Sequence, residues 1–310
     1  MVMSNAQARV IDPILTNVVL GYVKPENIGM HLFPTVYVRQ RGGHVLEFNR
    51  DSFKRYNTRR APGAATKRVS FGYEGKPFAL VQDRLEGQVA LENAEEAAAV
   101  PGLNLGTEAV NDVMSILHSS LEIEQAELAR NAANYGANNK DTLSGTDLWT
   151  DATSDPAKQI REYREAVRSQ VGLRPNVLAL SPVGFNALAE HPKVLERFKY
   201  TSSDSVTVDM LAKLFNVAKV VVGEAVYADD AGGMVDVWGN DAVLAYVPQV
   251  IGSARQPSYG YTYTLDGRPL VEEAYSERNS NSWLYPVVYD RKAVMTGFAS
   301  GFVIKNVVAA

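Results

Sequence analysis

The segment from Arg39 to Val81 most constrains the fold, because it is too polar to bury and too aromatic to be a plain linker. Two strand-like stretches, VLEF and KRVSFGY, flank its central APGAA. Arms of about 15 residues would reach about 50 Å, whereas a compact body of this length has a radius of gyration of about 19 Å. A two-stranded hairpin is only marginally stable in water. The segment therefore predicts an extended hairpin lying on something outside the monomer, with a mobile surface loop as the alternative.

This segment is basic, although the chain has a formal net charge of −4. Its cations would attract phosphate at low salt, but carboxylates are frequent in the next connector and in the long helix that follows. A basic arm and acidic surfaces in one chain favour self-association, in which the arm of one copy meets the body of the next. The candidate loop contacts are Arg50, Lys54, Arg55, Arg59, Arg60, Lys67 and Arg68. The candidate acidic partners are Glu92, Glu95, Glu96, Glu122, Glu124 and Glu127.

The composition, 46% hydrophobic and 21% charged, is typical of a globular protein. Cysteine is absent, which excludes disulfides and thiolate metal sites. The apolar run ILTNVVLGYV is shorter than the roughly 20 residues that a membrane-spanning helix needs, and Asp12 before it is unlike the basic start of a signal peptide. We therefore predict a soluble protein without membrane contact.

Helical and strand patterns predict an α+β fold. The longest helical pattern runs from Thr107, its expected N-cap, to Asn134, and its single apolar stripe indicates a helix lying across a sheet. Asp155 and Ser181, each followed by proline, predict two further helix starts. Helices and strands then interleave as in a mixed sheet, and strands dominate from Asp236 onward, which argues against a doubly wound parallel sheet.

Catalytic motifs are missing from the sequence. It contains no phosphate loop, no dinucleotide-binding glycine pattern, no nucleophile elbow and no HExxH among its four histidines. We therefore predict no enzymatic activity, no cofactor and no metal. The Asn and Asp residues between 134 and 155 lack EF-hand spacing and are interpreted as a loop. Tyr259, Tyr261 and Tyr263 share one strand face, and core or subunit packing is the favoured interpretation for them.

The order of these elements resembles that of the major capsid proteins of tailed double-stranded-DNA bacteriophages, whose shell fold is named after phage Hong Kong 97. Several phrases carry the resemblance in the right order and look most like the branch that contains the phage lambda capsid protein. They are FPTVYVRQRGGHVLEF, LEIEQAELARNA, PNVLALSPVGFNAL, HPKVLERFKY and LAKLFNVAKVVVGEAVY.

This resemblance implies five regions. They are an N-terminal arm (1–38), an extended β-hairpin loop (39–81), a peripheral domain with a long spine helix (82–150), a mixed α/β axial domain (151–282), and C-terminal strands that return to the peripheral domain (283–310). In one branch of the family, subunits are crosslinked through a Lys and an Asn with the help of a catalytic acid. Lys54 and Lys67 are available here, but the sequence does not identify such a set of three residues.

The implied function is structural. The resemblance predicts hexamers and pentamers that close an icosahedral capsid around the phage genome, assembled in the host bacterial cytoplasm. It also implies a separate scaffolding protein, a portal and a decoration protein as partners, together with non-specific contact with packaged DNA. Two alternatives stay open at this point: an encapsulin-type nanocompartment, which shares the fold, and a nucleic-acid-binding protein that uses the basic loop without assembling.

Overall fold

The computed structural model describes residues 11–22, 24, 27–46, 59, 75–98, 104–199, 205–249 and 258–309. The helices in these ranges are α1 Pro13–Gly21, α2 Gly29–Leu32, α3 Leu91–Ala98, α4 Leu105–Arg130, α5 Pro156–Val171, α6 Pro182–Glu190, α7 Pro192–Phe198 and α8 Val208–Phe215. The strands are β1 Thr35–Val38, β2 Gly42–Leu46, β3 Gly75–Ala79, β4 Val81–Ala90, β5 Lys140–Thr142, β6 Val177–Leu180, β7 Lys219–Val222, β8 Val226–Ala228, β9 Met234–Asp236, β10 Ala242–Ala245, β11 Gly260–Leu265, β12 Leu270–Val271, β13 Tyr275–Glu277, β14 Ser282–Met295 and β15 Gly301–Lys305.

Two of the predicted helix starts are confirmed by cap geometry. Asp155 and Ser181 are N-caps whose side chains accept backbone N–H hydrogen bonds, and Gly172 ends α5 with a positive φ of 70°. The prediction that Thr107 caps α4 is wrong. Asn104 is the cap, because its side chain accepts the N–H of Thr107, and the helix ends at Arg130, four residues before the predicted Asn134.

The larger sheet is built around the 14-residue strand β14. One edge of β14 pairs antiparallel with β4 over ten residues, and the other edge pairs in turn with β13, β12 and β11. Strand β1 extends this sheet by pairing parallel with β11. The described part of the predicted N-terminal arm (1–38) packs on the body of its own chain through β1 and through Leu15 and Val19 of α1.

The second sheet has the order β5-β15-β10-β6-β7 and mixes parallel and antiparallel pairs, as predicted. Alternate residues of its strands enter two different cores. Leu178 and Leu244 face helices α5 to α8, whereas Ala179 and Val243 face α2 and the C-terminal part of α4. Burial on both faces explains why these strands read as continuous apolar runs.

Sheet membership corrects two of the predicted regional boundaries. Strands β11 and β12 fall within the predicted axial domain (151–282) but belong to the sheet of β14 and β4. The predicted C-terminal strands (283–310) separate, since β14 lies against α4 whereas β15 enters the other sheet beside β10. The apolar patterns of the strands are alike in both sheets, so they do not predict which sheet a strand joins. Only the tertiary pairing shows it.

Helix α4 is shared by the two sheets. Val110, Val113 and Leu117 in its N-terminal half pack on β14, whereas Ala126 and Ala129 near its C-terminal end join the core under the second sheet. The expectation of a helix lying across a sheet is confirmed for the first half. Tyr259, Tyr261 and Tyr263 are buried, which confirms core packing as their role.

Helix α4 approaches β4 closely at Gly87. A Cβ atom there would lie 2.9 Å from the backbone carbonyl oxygen of Ala109, which cannot rotate away as a side chain could. We expect Gly87→Ala to lower the free energy of unfolding by about 1–3 kcal/mol, the usual cost of overpacking. Urea unfolding measures this. Gly21→Ala is the control, since nothing lies within 4 Å of its added Cβ, and equal stability of the two variants would contradict the described packing.

Candidate subunit-contact surfaces

The base of the basic hairpin is a two-stranded antiparallel sheet. Strand β2 pairs with β3 from Gly42 opposite Ala79 to Leu46 opposite Gly75, so the two strands enclose residues 47–74 in the sequence. The ring of Phe78 stacks on Tyr263 with their centroids 4.5 Å apart. The hairpin base is thereby joined to the larger sheet.

A buried carboxylate, that of Asp290, fixes the chain on both sides of this hairpin. Its oxygens accept hydrogen bonds from Arg41 Nε at 3.1 Å, Arg268 Nε at 2.7 Å and Gln82 Nε2 at 3.2 Å. Burial alone would raise the pKa of Asp290, but the hydrogen bonds and positive charges of Arg268 and Arg41 outweigh it and lower that pKa. Asp290 therefore remains ionised and holds Arg41 and Gln82, which precede and follow the hairpin strands.

Sequence reasoning missed this cluster, although a signal for it exists. An aspartate inside the apolar strand pattern WLYPVVYD is a charge that needs a buried partner. Of the predicted loop residues, Arg59 is exposed, and the other six are outside the described residues. Those six are Arg50, Lys54, Arg55, Arg60, Lys67 and Arg68.

Helix α3 carries an acidic face. Glu92, Glu95 and Glu96 follow the i, i+3, i+4 spacing of one helix side, and all three are exposed. The pKa of Glu92 is lowered by a hydrogen bond from its own backbone amide and by one from Asn281 Nδ2 at 2.7 Å. In the part of the chain that the structure describes, no cation pairs with Glu95 or Glu96. The face is available to positive charge from outside this body.

The three predicted acidic residues on α4 differ in their surroundings. Glu127 is exposed, as a contact residue must be. Glu124 is half-buried and bonded within the chain to Lys292 Nζ at 2.6 Å and Arg291. The prediction for Glu122 is wrong. Its side chain is buried and both of its oxygens accept hydrogen bonds inside the body, so it belongs to no acidic partner surface.

Glu122 instead joins three segments of the fold. Its carboxylate accepts hydrogen bonds from the backbone amides of Ile28 and Gly29 and from Trp238 Nε1, at 2.8 to 3.0 Å. Burial raises the pKa of Glu122, and the donated hydrogen bonds only partly oppose that rise. Three residues further along α4, Gln125 Nε2 donates to Thr262 Oγ1 at 2.8 Å. The middle of α4 is thus a polar connection between the two sheets.

Metal chemistry has no support in the described ranges. They contain no group of three or more His, Asp or Glu side chains placed to hold an ion, and no helix in them is long and apolar enough to cross a membrane.

Two of the histidines have structural roles. His118 is largely buried, and burial together with the charges of Arg291 and Lys24 lowers its pKa to about 4. His191 caps α7. The Asn-rich and Asp-rich stretch forms turns and short 3-10 helices.

Two sheets joined by a long helix, with a hairpin rising from one of them, make up the shell-forming fold of the Hong Kong 97 type. The encapsulin complex of Synechococcus elongatus PCC 7942 is similar in fold, with a TM-score of 0.53 over 96% of each chain and 11% identity. Identity this low shows the fold alone. The structure therefore has the fold that phage capsid proteins and encapsulins share.

Proteins with higher sequence identity to this chain distinguish a capsid protein from an encapsulin. The chain is 36% identical to the major capsid protein of Burkholderia phage BcepMu, over 86% of this chain and 87% of that protein. It is 43% identical to a phage-related protein of Bordetella bronchiseptica RB50, covering 98% and 99% of the chains with a TM-score of 0.86. A family model described as phage major capsid protein E matches residues 125–258. The chain belongs to the phage major capsid proteins, and its role is structural.

The buried carboxylate of Glu122 generates a pH prediction. Its pKa is raised in the folded state, so the folded protein binds the proton more tightly than the unfolded chain does. This contribution to stability is complete below the unfolded pKa of about 4.3 and is lost as pH rises through the folded pKa. We expect wild type to lose stability relative to Glu122→Gln as pH rises above about 4, as measured by urea unfolding.

The matched control is Glu127→Gln on the exposed side of the same helix. Its stability difference from wild type should stay nearly constant over the same range of pH. A wild type that gains stability relative to Glu122→Gln as pH rises would show that the hydrogen bonds outweigh burial and would contradict the prediction.

Proposed function

We propose that this chain assembles as hexamers and pentamers into the icosahedral shell that encloses the double-stranded DNA genome of a phage, and that its basic hairpin contacts a neighbouring subunit. Its membership in the phage major capsid proteins supports the shell. The observation that carries the hairpin contact is the paired base of β2 and β3, held on the body by Arg41 and Asp290. A base fixed on the body supports a contact that is made outside the core.

The acidic face of α3 is the partner surface that we propose for the hairpin. Glu92, Glu95 and Glu96 are exposed on one side of this helix, whereas Glu122 and Glu124 are engaged inside the body. Attraction between exposed charges in water is weak for each pair, roughly 0–1 kcal/mol. A shell repeats the contact in every subunit, so small energies add up and the assembly stays sensitive to salt.

Further partners belong to the same proposal. Assembly in the host bacterial cytoplasm would use a separate scaffolding protein, a portal and a decoration protein, and the inner surface of the shell would touch packaged DNA without sequence preference. A subunit placed by heterologous contacts closes a shell by rotation. No chemical step is assigned to the chain in this scheme.

The charge of the hairpin gives a direct test. We expect Arg59→Glu with Arg60→Glu to reduce the yield of particles counted by negative-stain electron microscopy, because like charges would then meet. Circular dichroism of the subunit should not change. The reduction should exceed that of Arg278→Glu with Lys213→Glu, two exposed cations outside the hairpin with the same total charge change.

Partial recovery is expected when the hairpin reversal is combined with Glu95→Lys and Glu96→Lys, which restores opposite charges. Normal particle yield from the hairpin reversal alone would contradict the contact. Subunits that bind free DNA with a steep salt dependence and never form shells, tubes or capsomers would contradict the shell itself and favour the nucleic-acid-binding alternative.

A further inference from the structure

A cavity of about 480 Å³ opens between α5, α7 and α8, on the helical side of the second sheet. Its volume falls within the range of about 300–1,000 Å³ that is usual for small-molecule sites. Part of the wall is apolar, formed by Ala157 and the last turn of α8. Four guanidinium groups from three separate segments also line it, those of Arg161, Arg164, Arg174 and Arg197. This concentration of positive charge is unusual in a chain whose net charge is negative.

Arg164 is the most enclosed of these four. One of its terminal nitrogens donates to the carbonyl oxygen of Phe215 at 2.7 Å, whereas its Nε is buried and meets no acceptor among the described residues. Burial, followed by repulsion from Arg174, lowers the pKa of Arg164. The side chain therefore has a buried N–H donor without an acceptor, and its positive charge is disfavoured by burial and by Arg174.

Two carboxylates also line the cavity, but cations outside the lining engage both of them. Glu165 accepts hydrogen bonds from Arg168, and Glu162 lies 3.9 Å from Lys158 Nζ. These pairs run along the exposed side of α5 at i, i+3 and i, i+4 spacing. Within the described chain, no salt bridge joins either carboxylate to an arginine of the cavity. Glu165 is also attracted by the charge of Arg174, but the four arginines of the lining still outnumber its two carboxylates.

We propose that this cavity binds a phosphate group. Planar guanidinium forks match the oxygens of phosphate and bind it through pairs of charge-assisted hydrogen bonds. A multiply charged anion would neutralise Arg174 and Arg164 together, and its oxygens could accept the buried Arg164 Nε–H. The source is either free phosphate or the backbone of a nucleic acid. The site requires no contact between subunits, so it stands independently of the assembly proposed above.

The test is a titration of the full-length protein with sodium phosphate at constant ionic strength, followed by thermal unfolding. We expect a saturable rise in the unfolding midpoint of wild type, because a ligand that binds only the folded state stabilises it. Arg174→Gln should weaken the apparent affinity by at least about tenfold, as for the loss of a charge-assisted hydrogen bond. Arg174 is exposed, so its replacement leaves the core intact.

Arg278→Gln, with the same charge change at an exposed position far along the chain, should behave as wild type. A parallel titration with a short DNA duplex identifies the source of the phosphate group. Saturable stabilisation by sodium phosphate would identify the ligand as the free ion. Stabilisation by the duplex alone, lost in Arg174→Gln, would identify it as a backbone phosphate of a nucleic acid. Three outcomes would overturn the proposal: no saturable response to either ligand, an equal response in Arg174→Gln, or an equal rise with sodium acetate, which would indicate a carboxylate partner.

Discussion

The carboxylate of Glu122 is the contact on which the arrangement of the two sheets depends. It lies in the C-terminal half of α4, where the helix passes from the sheet of β14 to the sheet of β10, and it accepts hydrogen bonds from the start of α2 and from Trp238. Removing the carboxylate leaves its buried donors without an acceptor. Each unsatisfied donor typically lowers the free energy of unfolding by about 1–3 kcal/mol. Helix α4 can therefore hold both sheets in one relative position.

A shell protein needs this rigidity for a geometric reason. Small errors in the position of each subunit contact accumulate when many copies must close by rotation. The same design is seen at the hairpin, where ionised Asp290 joins Arg41, Gln82 and Arg268 beneath strands that are only marginally stable as an isolated pair. Buried charge fixes the body, and exposed charge on α3 is the contact that we propose for its neighbours.

Local signals in the sequence were sufficient for much of the fold. Cap residues such as Asp155 and Ser181 act within one helical turn, so their chemistry predicts helix starts without tertiary information. Sheet membership was not predictable in this way: β14 and β15 have similar apolar patterns but lie in different sheets. Glu122 was misassigned because a carboxylate on a helix reads as exposed unless its partners, here Ile28, Gly29 and Trp238, are known to meet it.

The central claim is that the basic hairpin of one subunit lies on the acidic face of another. Zero-length crosslinking of particles assembled from equal amounts of isotopically heavy and light subunits measures this directly by mass spectrometry. We expect mixed heavy–light crosslinks between Lys54 or Lys67 and Glu92, Glu95 or Glu96. Crosslinks of these lysines found only within single subunits, or only to carboxylates outside α3, would contradict it.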